Sequence, residues 1–465
     1  MVESNNKCLV VIVERHALWN LWCIDFIKNS IKEKQKIEIL NLSAFRLLRY
    51  KNNSKYLLTK LYRKNRIENI LHRVANQHSI KIITPNIWER INSSKRDFHR
   101  ETYVSFLNGL DSQYFEEMGT RITSEAQIAP RNLEHSIRVY NKVAEIVMRT
   151  INEREITKVI VPGGRTLIPN AVIEGAQNLG TACTILEQIT SKDTRYFEYP
   201  LDFRQNRDSL QREIDETWAK AGNSKFEVAR NHLKNKLRGD QLGFNFTKIF
   251  DSTLNILNPE ERKLAVIFVS SGFEFVPTEV EKTGGQLGSD HQKEIVRTFS
   301  KIALEHGFSV VLRGHPPSAG FEKMYAAEDR GWADLCNEIG IAHLPSYSKV
   351  DSYKLMEMSN INVVYASTAG IDSILLGANT LVLGNTDWSH LVPELCAFDE
   401  QSIRNRFSSF QRIVDVKRIY PYAFFMECGG IKMSDVEYTS QRTLHFEGEE
   451  IGAPRFKTLV RIFKK

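Results

Sequence analysis

The stretch Asn362-Val-Val-Tyr-Ala-Ser-Thr-Ala-Gly-Ile-Asp-Ser-Ile-Leu-Leu-Gly377, continued by Ala-Asn-Thr-Leu-Val-Leu-Gly384, decides how the chain is read. Its first apolar run predicts a buried strand from Asn362 to Tyr365, because a strand covered on both faces shows continuous rather than alternating hydrophobicity. A small, hydroxyl-rich turn follows, then a short helix stopped by Gly377, then a second buried strand from Thr380 to Leu383. A strand–turn–helix–strand unit of this kind belongs to a parallel α/β sheet. It places Ser367, Thr368 and the backbone N–H groups of Ala369 and Gly370 at a helix N-terminus. Unpaired amides and the positive end of the helix dipole favour an anion there. Asp372 either supports that N-terminus or accepts a hydrogen bond from a ligand hydroxyl. An ordinary turn capped by Ser or Thr has the same sequence, so the turn alone does not separate a phosphate site from a cap.

Two neighbouring strand ends narrow the choice. Leu264-Ala-Val-Ile-Phe-Val269 opens a second α/β domain and runs into Ser270-Ser271-Gly272-Phe273-Glu274. The strand Ser309 to Leu312 ends in Arg313-Gly314-His315-Pro316. In a parallel sheet these loops share the edge formed by the carboxyl ends of the strands, where ligands bind. Arg313 offers a charged fork for phosphate, and His315 a hydrogen bond or a positive charge. Pro316 keeps the residue before it extended. Ser271, Ser367, Thr368 and Gly370 complete a phosphate cradle, and Glu274 is placed to hold ribose or sugar hydroxyls.

The first 190 residues alternate strands and helices in the same way. Cys8 to Val13 is an apolar run followed by Glu14-Arg15-His16; Lys158 to Pro162 is followed by Gly163-Gly164-Arg165; Ala182 to Leu186 ends in Glu187. This pattern predicts a doubly wound domain with Glu14, His16, Gly164, Arg165 and Glu187 along its crevice edge. Glu14 and His16 equally suit a plain helix cap. Residues 191–258 are polar and read as helices and connections between lobes, and the aromatic run Ile419 to Phe425 is expected to return across the first domain. The fold expected is α/β, two Rossmann-like doubly wound lobes facing a cleft. The expected divisions are an acceptor-side N-terminal lobe with helical insertions (1–258), a C-terminal lobe that binds the nucleotide (259–430), and a tail that packs back or contacts a surface (431–465).

Composition excludes several classes. With 465 residues, 42% of them hydrophobic and 26% charged, the chain is long and apolar enough for two or three folded domains. A formal charge of +7 is mild for this length and does not call for a nucleic-acid partner. Charge is clustered instead: Arg46 to Arg73 holds nine Lys or Arg residues and one acid, Glu68, interleaved with Leu and Tyr. Such a run suits an anionic membrane surface such as the cytoplasmic face of the inner membrane, a groove for an acidic polymer, or a solvated helix face. No apolar run reaches transmembrane length, and the N-terminus lacks the features of a signal peptide. Six scattered cysteines without CxxC spacing read as reduced thiols, so a cytoplasmic setting is expected. GxGxxG after the first strand, GxxxxGK[ST] and GxSxG are missing, which leaves no foothold for a standard dinucleotide fold, a P-loop NTPase or a serine hydrolase. A loop Asp-x-Asp clamp is missing too, so a metal-independent phosphate site is expected, with no metal ligands and no cofactor.

These residues resemble the bacterial capsule polysaccharide biosynthesis family, glycosyltransferases of the two-lobed GT-B type. The resemblance rests on Gly163-Gly164-Arg165 with Glu187, on the Ser270-Ser271 loop with Glu274, on Arg313-x-His315-Pro316, and on Ser367-Thr368-x-Gly370-x-Asp372 with Gly377 and Gly384. The His-Pro and Ser/Thr pairing is similar to that of bacterial transferases using CMP-activated Kdo or sialic acid. There the His and the hydroxyls hold the donor phosphate. The sequence departs from the family pattern at Gly314, where a second basic residue is common. The resemblance implies transfer of a sugar from a nucleotide-sugar donor to a glycan or glycolipid acceptor of the cell surface. In that scheme His315 acts on the leaving phosphate, and Glu14 or, as second choice, Glu187 serves as the base. Polymerases that use CDP-glycerol share the same motif style, and a non-catalytic component of a polysaccharide assembly is the alternative of a different class.

Overall fold

A computed structural model of the protein describes residues 7–13, 17–43, 69–85, 130–163, 167–187, 195–200, 207–238, 263–270, 289–315, 322–348, 350–408, 415–440 and 443–450. They form two compact units. The first contains the described residues up to 200 together with 430–450, and the second those from 207 to 429.

The first unit is built on strands β1 (Lys7–Ile12), β2 (Lys36–Asn41), β3 (Lys81–Ile83), β4 (Lys158–Pro162), β5 (Ala182–Glu187) and β6 (Arg195–Pro200). Their order in the sheet is β3-β2-β1-β4-β5-β6. All pairings are parallel except β5 with β6. That is the order of a doubly wound sheet, and its direction reverses between β1 and β4. The continuous apolar runs of β1 and β4 follow from this position, since both are covered on two faces. Helix α1 (Ala17–Lys32) buries Leu21, Trp22 and Ile24 against one face, together with Ile70, Leu71 and Val74 of the helical residues 69–77. Helices α2 (Pro130–Arg154) and α3 (Leu167–Gln177) pack on each other, and Tyr140 of α2 donates its hydroxyl to Asn170 of α3 at 2.8 Å.

Between the two sheets in sequence lie α4 (Arg207–Lys220) and α5 (Lys225–Arg238). The second sheet comprises β7 (Lys263–Phe268), β8 (Phe308–Arg313), β9 (Ala342–Leu344), β10 (Ile361–Val364) and β11 (Thr380–Val382). Its order is β11-β10-β7-β8-β9, entirely parallel. Read from β9, this repeats the topology of the first sheet, and the reversal falls between β7 and β10. Helices α6 (Ser289–Glu305) and α7 (Glu322–Ile339) cover one face through Val296, Phe299, Trp332 and Leu335. The short helices α8 (Ser352–Met358) and α9 (Ala369–Leu375) connect the later strands, and α10 (Glu400–Ser408) adds Ile403 and Phe407 to the core.

The α/β class and the two doubly wound, mostly parallel sheets are as expected. The packing places one division ahead of residue 207, not at 258, and the other between Gly429 and Gly430. Residues 207–238 group with the second unit because α4 and α5 pack on α11 (Tyr420–Cys428), where Trp218, Ala229, Tyr420 and Phe424 share one apolar cluster. The aromatic run that ends at Phe425 is therefore a helix of the second unit. Polar residues 191–258 include a strand, β6, which the charged and Pro-terminated sequence Arg-Tyr-Phe-Glu-Tyr-Pro did not announce.

Residues 431–450 return to the first unit. Strand β12 (Ile431–Lys432) extends its sheet antiparallel to β6. The hairpin strands β13 (Val436–Ser440), β14 (Thr443–Phe446) and β15 (Glu449–Glu450) form a small separate sheet, and Met433, Val436 and Phe446 enter the core of α1. Lys28 bridges Asp435 and Glu447 at 2.7 and 2.6 Å, and Arg73 bridges Glu447 and Glu449 at 2.8 and 2.9 Å. Arg73, the last cation of the basic segment, is thus engaged within the protein, and residues 46–68 lie outside the described set. No helix among the described residues is long and apolar enough to cross a membrane. All six cysteines are free thiols.

Candidate active site

The strand order reverses between β7 and β10, and open α/β sheets bind ligands beyond the carboxyl ends of the strands at such a reversal. Three chain segments leave the second sheet there or beside it: Val269-Ser270 after β7, Gly314-His315 after β8, and Tyr365 to Gly370 after β10. Arg313 and His315 lie at the carboxyl end of β8, and Ser367, Thr368 and Gly370 follow the carboxyl end of β10. Ser271, Glu274 and Pro316 lie outside the described residues, as do Glu14, His16, Gly164 and Arg165 of the first sheet. Those last four continue from β1 and β4, the strands on either side of the first sheet's reversal. Glu187 is the last residue of β5, half-buried and in register with Phe197 of β6.

The turn after β10 is closed by its own backbone. Ser367 Oγ accepts from Ala369 N at 3.2 Å, and Ser367 O accepts from Gly370 N at 3.1 Å. Ile371 N and Asp372 N donate to Thr368 O. The amides of Ala369 and Gly370 are thus paired rather than vacant, which corrects the expectation of an open amide cradle. The turn presents hydroxyls instead: Thr368 is exposed and makes no side-chain cap. Gly370 is required by packing. A Cβ there would lie 2.6 Å from the Trp388 ring and 2.8 Å from Val364 Cγ2, so the turn lies directly against the buried indole.

Asp372 is engaged by neighbouring helices. It is 3% exposed, pairs with Lys236 of α5, and accepts from the Tyr353 hydroxyl at 3.1 Å. Burial and the adjacent Asp372 carboxylate raise the Tyr353 phenol above its ordinary value, so it remains the donor. Asp372 fixes the turn's helix to α5 and α8.

Arg313 has a comparable role. It is 1% exposed, and its guanidinium donates to Pro345 O and, at 3.1 Å, to Ser348 O. Burial pushes its pKa down to about 10, with the Asp329 charge opposing the shift, so it stays cationic at neutral pH. Asp329 in turn accepts from Ser346 N at 2.9 Å and from Ser346 Oγ at 2.6 Å. Gly314 lies between these groups; a Cβ there would stand 2.5 Å from Asp329 Oδ1 and 2.8 Å from Ser346 N. No side chain fits, which explains the absence of a second basic residue at this place. The fork that the sequence assigns to phosphate therefore holds the 345–348 loop, and His315 is the half-exposed polar residue at the end of β8.

His291, beside the reversal, is not among the residues expected from sequence. His291, in the first turn of α6, places Nδ1 2.7 Å from the hydroxyl of Tyr365, the buried residue directly after β10. Burial lowers the imidazole pKa, so it is neutral around pH 7. The next residue, fully buried Gln292, accepts from Ser270 N at 2.9 Å and donates to Ser270 O at 3.0 Å. The first turn of α6 is thereby tied to the ends of both strands at the reversal. In the sequence it is marked by a His-Gln pair opening the helix after β7.

No protein-family model and no curated protein matches the chain. Among solved structures it is similar to the KpsC beta Kdo 2,4 transferase of Thermosulfurimonas dismutans, with 11% identity, 58% of this chain and 79% of that chain covered, and a TM-score of 0.40. For the KpsC beta Kdo 2,7 transferase of the same organism the values are 12%, 69%, 90% and 0.35. For S. aureus MnaA in its UDP co-structure they are 9%, 92%, 92% and 0.30.

Proposed function

We propose that the protein is a metal-independent glycosyltransferase of the capsule polysaccharide type, moving a sugar from a nucleotide-activated donor to a growing surface glycan. The observation that carries this reading is the placement of the Ser367–Gly370 turn and His315 at carboxyl strand ends of the second sheet, with the turn beside its reversal. The motif resemblance of those same residues supplies the chemistry.

In this reading the donor phosphate lies over the Ser367 and Thr368 hydroxyls and His315. The acceptor hydroxyl attacks the anomeric carbon, the bond from that carbon to the phosphate oxygen breaks, and the hydroxyl proton passes to a carboxylate. Glu14 and Glu187 are the candidates for that base. Negative charge developing on the leaving phosphate is met by fixed donors, the contribution that commonly dominates such catalysis. Arg313, Asp329 and Asp372 act as positioning residues that hold the loop and the turn. Ser271 and Glu274 are assigned to the donor, and His16, Gly164 and Arg165 to the acceptor.

Titration calorimetry with CMP, CDP, UDP and GDP tests the reading directly: one of them binds the wild type, and His315→Ala weakens it. With the matching donor, His315→Ala is expected to lower transfer by about 100-fold or more. Unchanged binding and transfer in both His315→Ala and Ser367→Ala would remove the site.

A further inference from the structure

We infer that His291 is a further donor-binding residue, presenting Nε2–H to the nucleotide phosphate, with Tyr365 as the positioning residue that sets its tautomer. The inference rests on the donor site proposed above and adds to it a group from a separate element. Its basis is placement and chemistry. His291 and Tyr365 bring α6 and the end of β10 together at the sheet reversal, and Tyr365 lies two residues before Ser367. The contact uses Nδ1; among the described residues no hydrogen bond engages Nε2.

A phenol is a better donor than acceptor towards a neutral imidazole, so Tyr365 donates to Nδ1 and the ring proton resides on Nε2. An oriented, neutral N–H at this place suits a phosphate oxygen. It adds no formal charge that would have to be released with the product. The Gln292 clamp on both backbone groups of Ser270 supports the same reading. Together these contacts fix the helix that carries the imidazole against β7 as well as β10, which leaves the ring little freedom to move away. A fixed hydrogen-bond donor costs no reorganisation when the ligand arrives.

The test compares nucleotides with their nucleosides on the full chain. Calorimetry or ligand-observed NMR with CMP, CDP, UDP and GDP, and with cytidine, uridine and guanosine, gives a nucleotide-to-nucleoside affinity ratio for each variant. His291→Ala is expected to lower that ratio by about 10-fold, the loss of one hydrogen bond to a charged group. His291→Gln, which restores an N–H near the Nε2 position, is expected to recover part of it. Tyr365→Phe should lower the ratio less, in the same direction. A structural role alone would weaken nucleoside and nucleotide alike and lower the melting temperature without moving the ratio. A ratio unchanged in His291→Ala, with nucleotide binding intact in the wild type, overturns the inference and leaves the donor site standing. A wild type that binds none of the four nucleotides overturns both.

Discussion

Taking a guanidinium out of water carries a penalty of several kcal/mol unless its donors are matched, and at Arg313 carbonyls of the 345–348 loop accept from Nη1 and Nη2. Lysine cannot reproduce a planar fork. Arg313→Lys is therefore expected to destabilise the second unit by about 3 kcal/mol, the scale of a broken buried charge contact, read as a lowered urea midpoint. Gly314→Ala acts on the same cluster by overpacking and should lose about 1–3 kcal/mol. If Gly314→Ala melted like the wild type, Asp329 and Ser346 would have to be less closely fitted than they are here. The sequence makes the charge and the strand-end position of Arg313 visible, and both fit a phosphate ligand. What it hides is Asp329 on α7 and the carbonyls after β9, brought to Arg313 only by the fold. The same holds for Asp372, whose partners Lys236 and Tyr353 come from two other helices.

Among the elements, two buried polar contacts decide how helices dock. His232 of α5 donates Nδ1–H to Glu427 of α11 at 2.7 Å, with both side chains buried. Removing the imidazole takes this contact from a buried carboxylate, so His232→Leu should lose about 3 kcal/mol. The double variant His232→Leu with Glu427→Met should lose clearly less than the sum of the single losses; additive losses would argue against a coupled pair. On α1, Asp25 accepts from Ser434 N and from the Tyr196 hydroxyl, both at 3.2 Å, and burial raises its carboxyl above the ordinary value. A raised carboxylate binds its proton more tightly in the folded than in the unfolded state, so its effect on stability turns unfavourable as pH climbs through that window. Asp25→Asn is accordingly expected to gain on the wild type in melting temperature from pH 4 towards pH 8. A difference that shrinks with rising pH would contradict this. The parallel strands of both sheets were legible because apolar runs report two-sided cover, whereas antiparallel β6 was not. The partners of α4 and α5 were not, since an amphipathic face shows that a helix packs but not on what.

For the whole molecule, the first unit is discontinuous. Its sheet and core are completed by β12, Met433, Val436 and Phe446, which follow the entire second unit in sequence. A chain ended at Gly429 should keep slow amide exchange in β7, β8 and β10 while exchange in β1, β2 and β6 becomes fast. Equal protection in both sets would show that residues 430–450 are dispensable to the first core. The interleaving also orders events during synthesis. The ribosome delivers all of the second unit's strands and helices before the last pieces of the first, so an early N-terminal half waits with the Trp22 face of α1 incompletely covered. Until the final segment emerges, that apolar surface is open to chaperones and to other nascent chains.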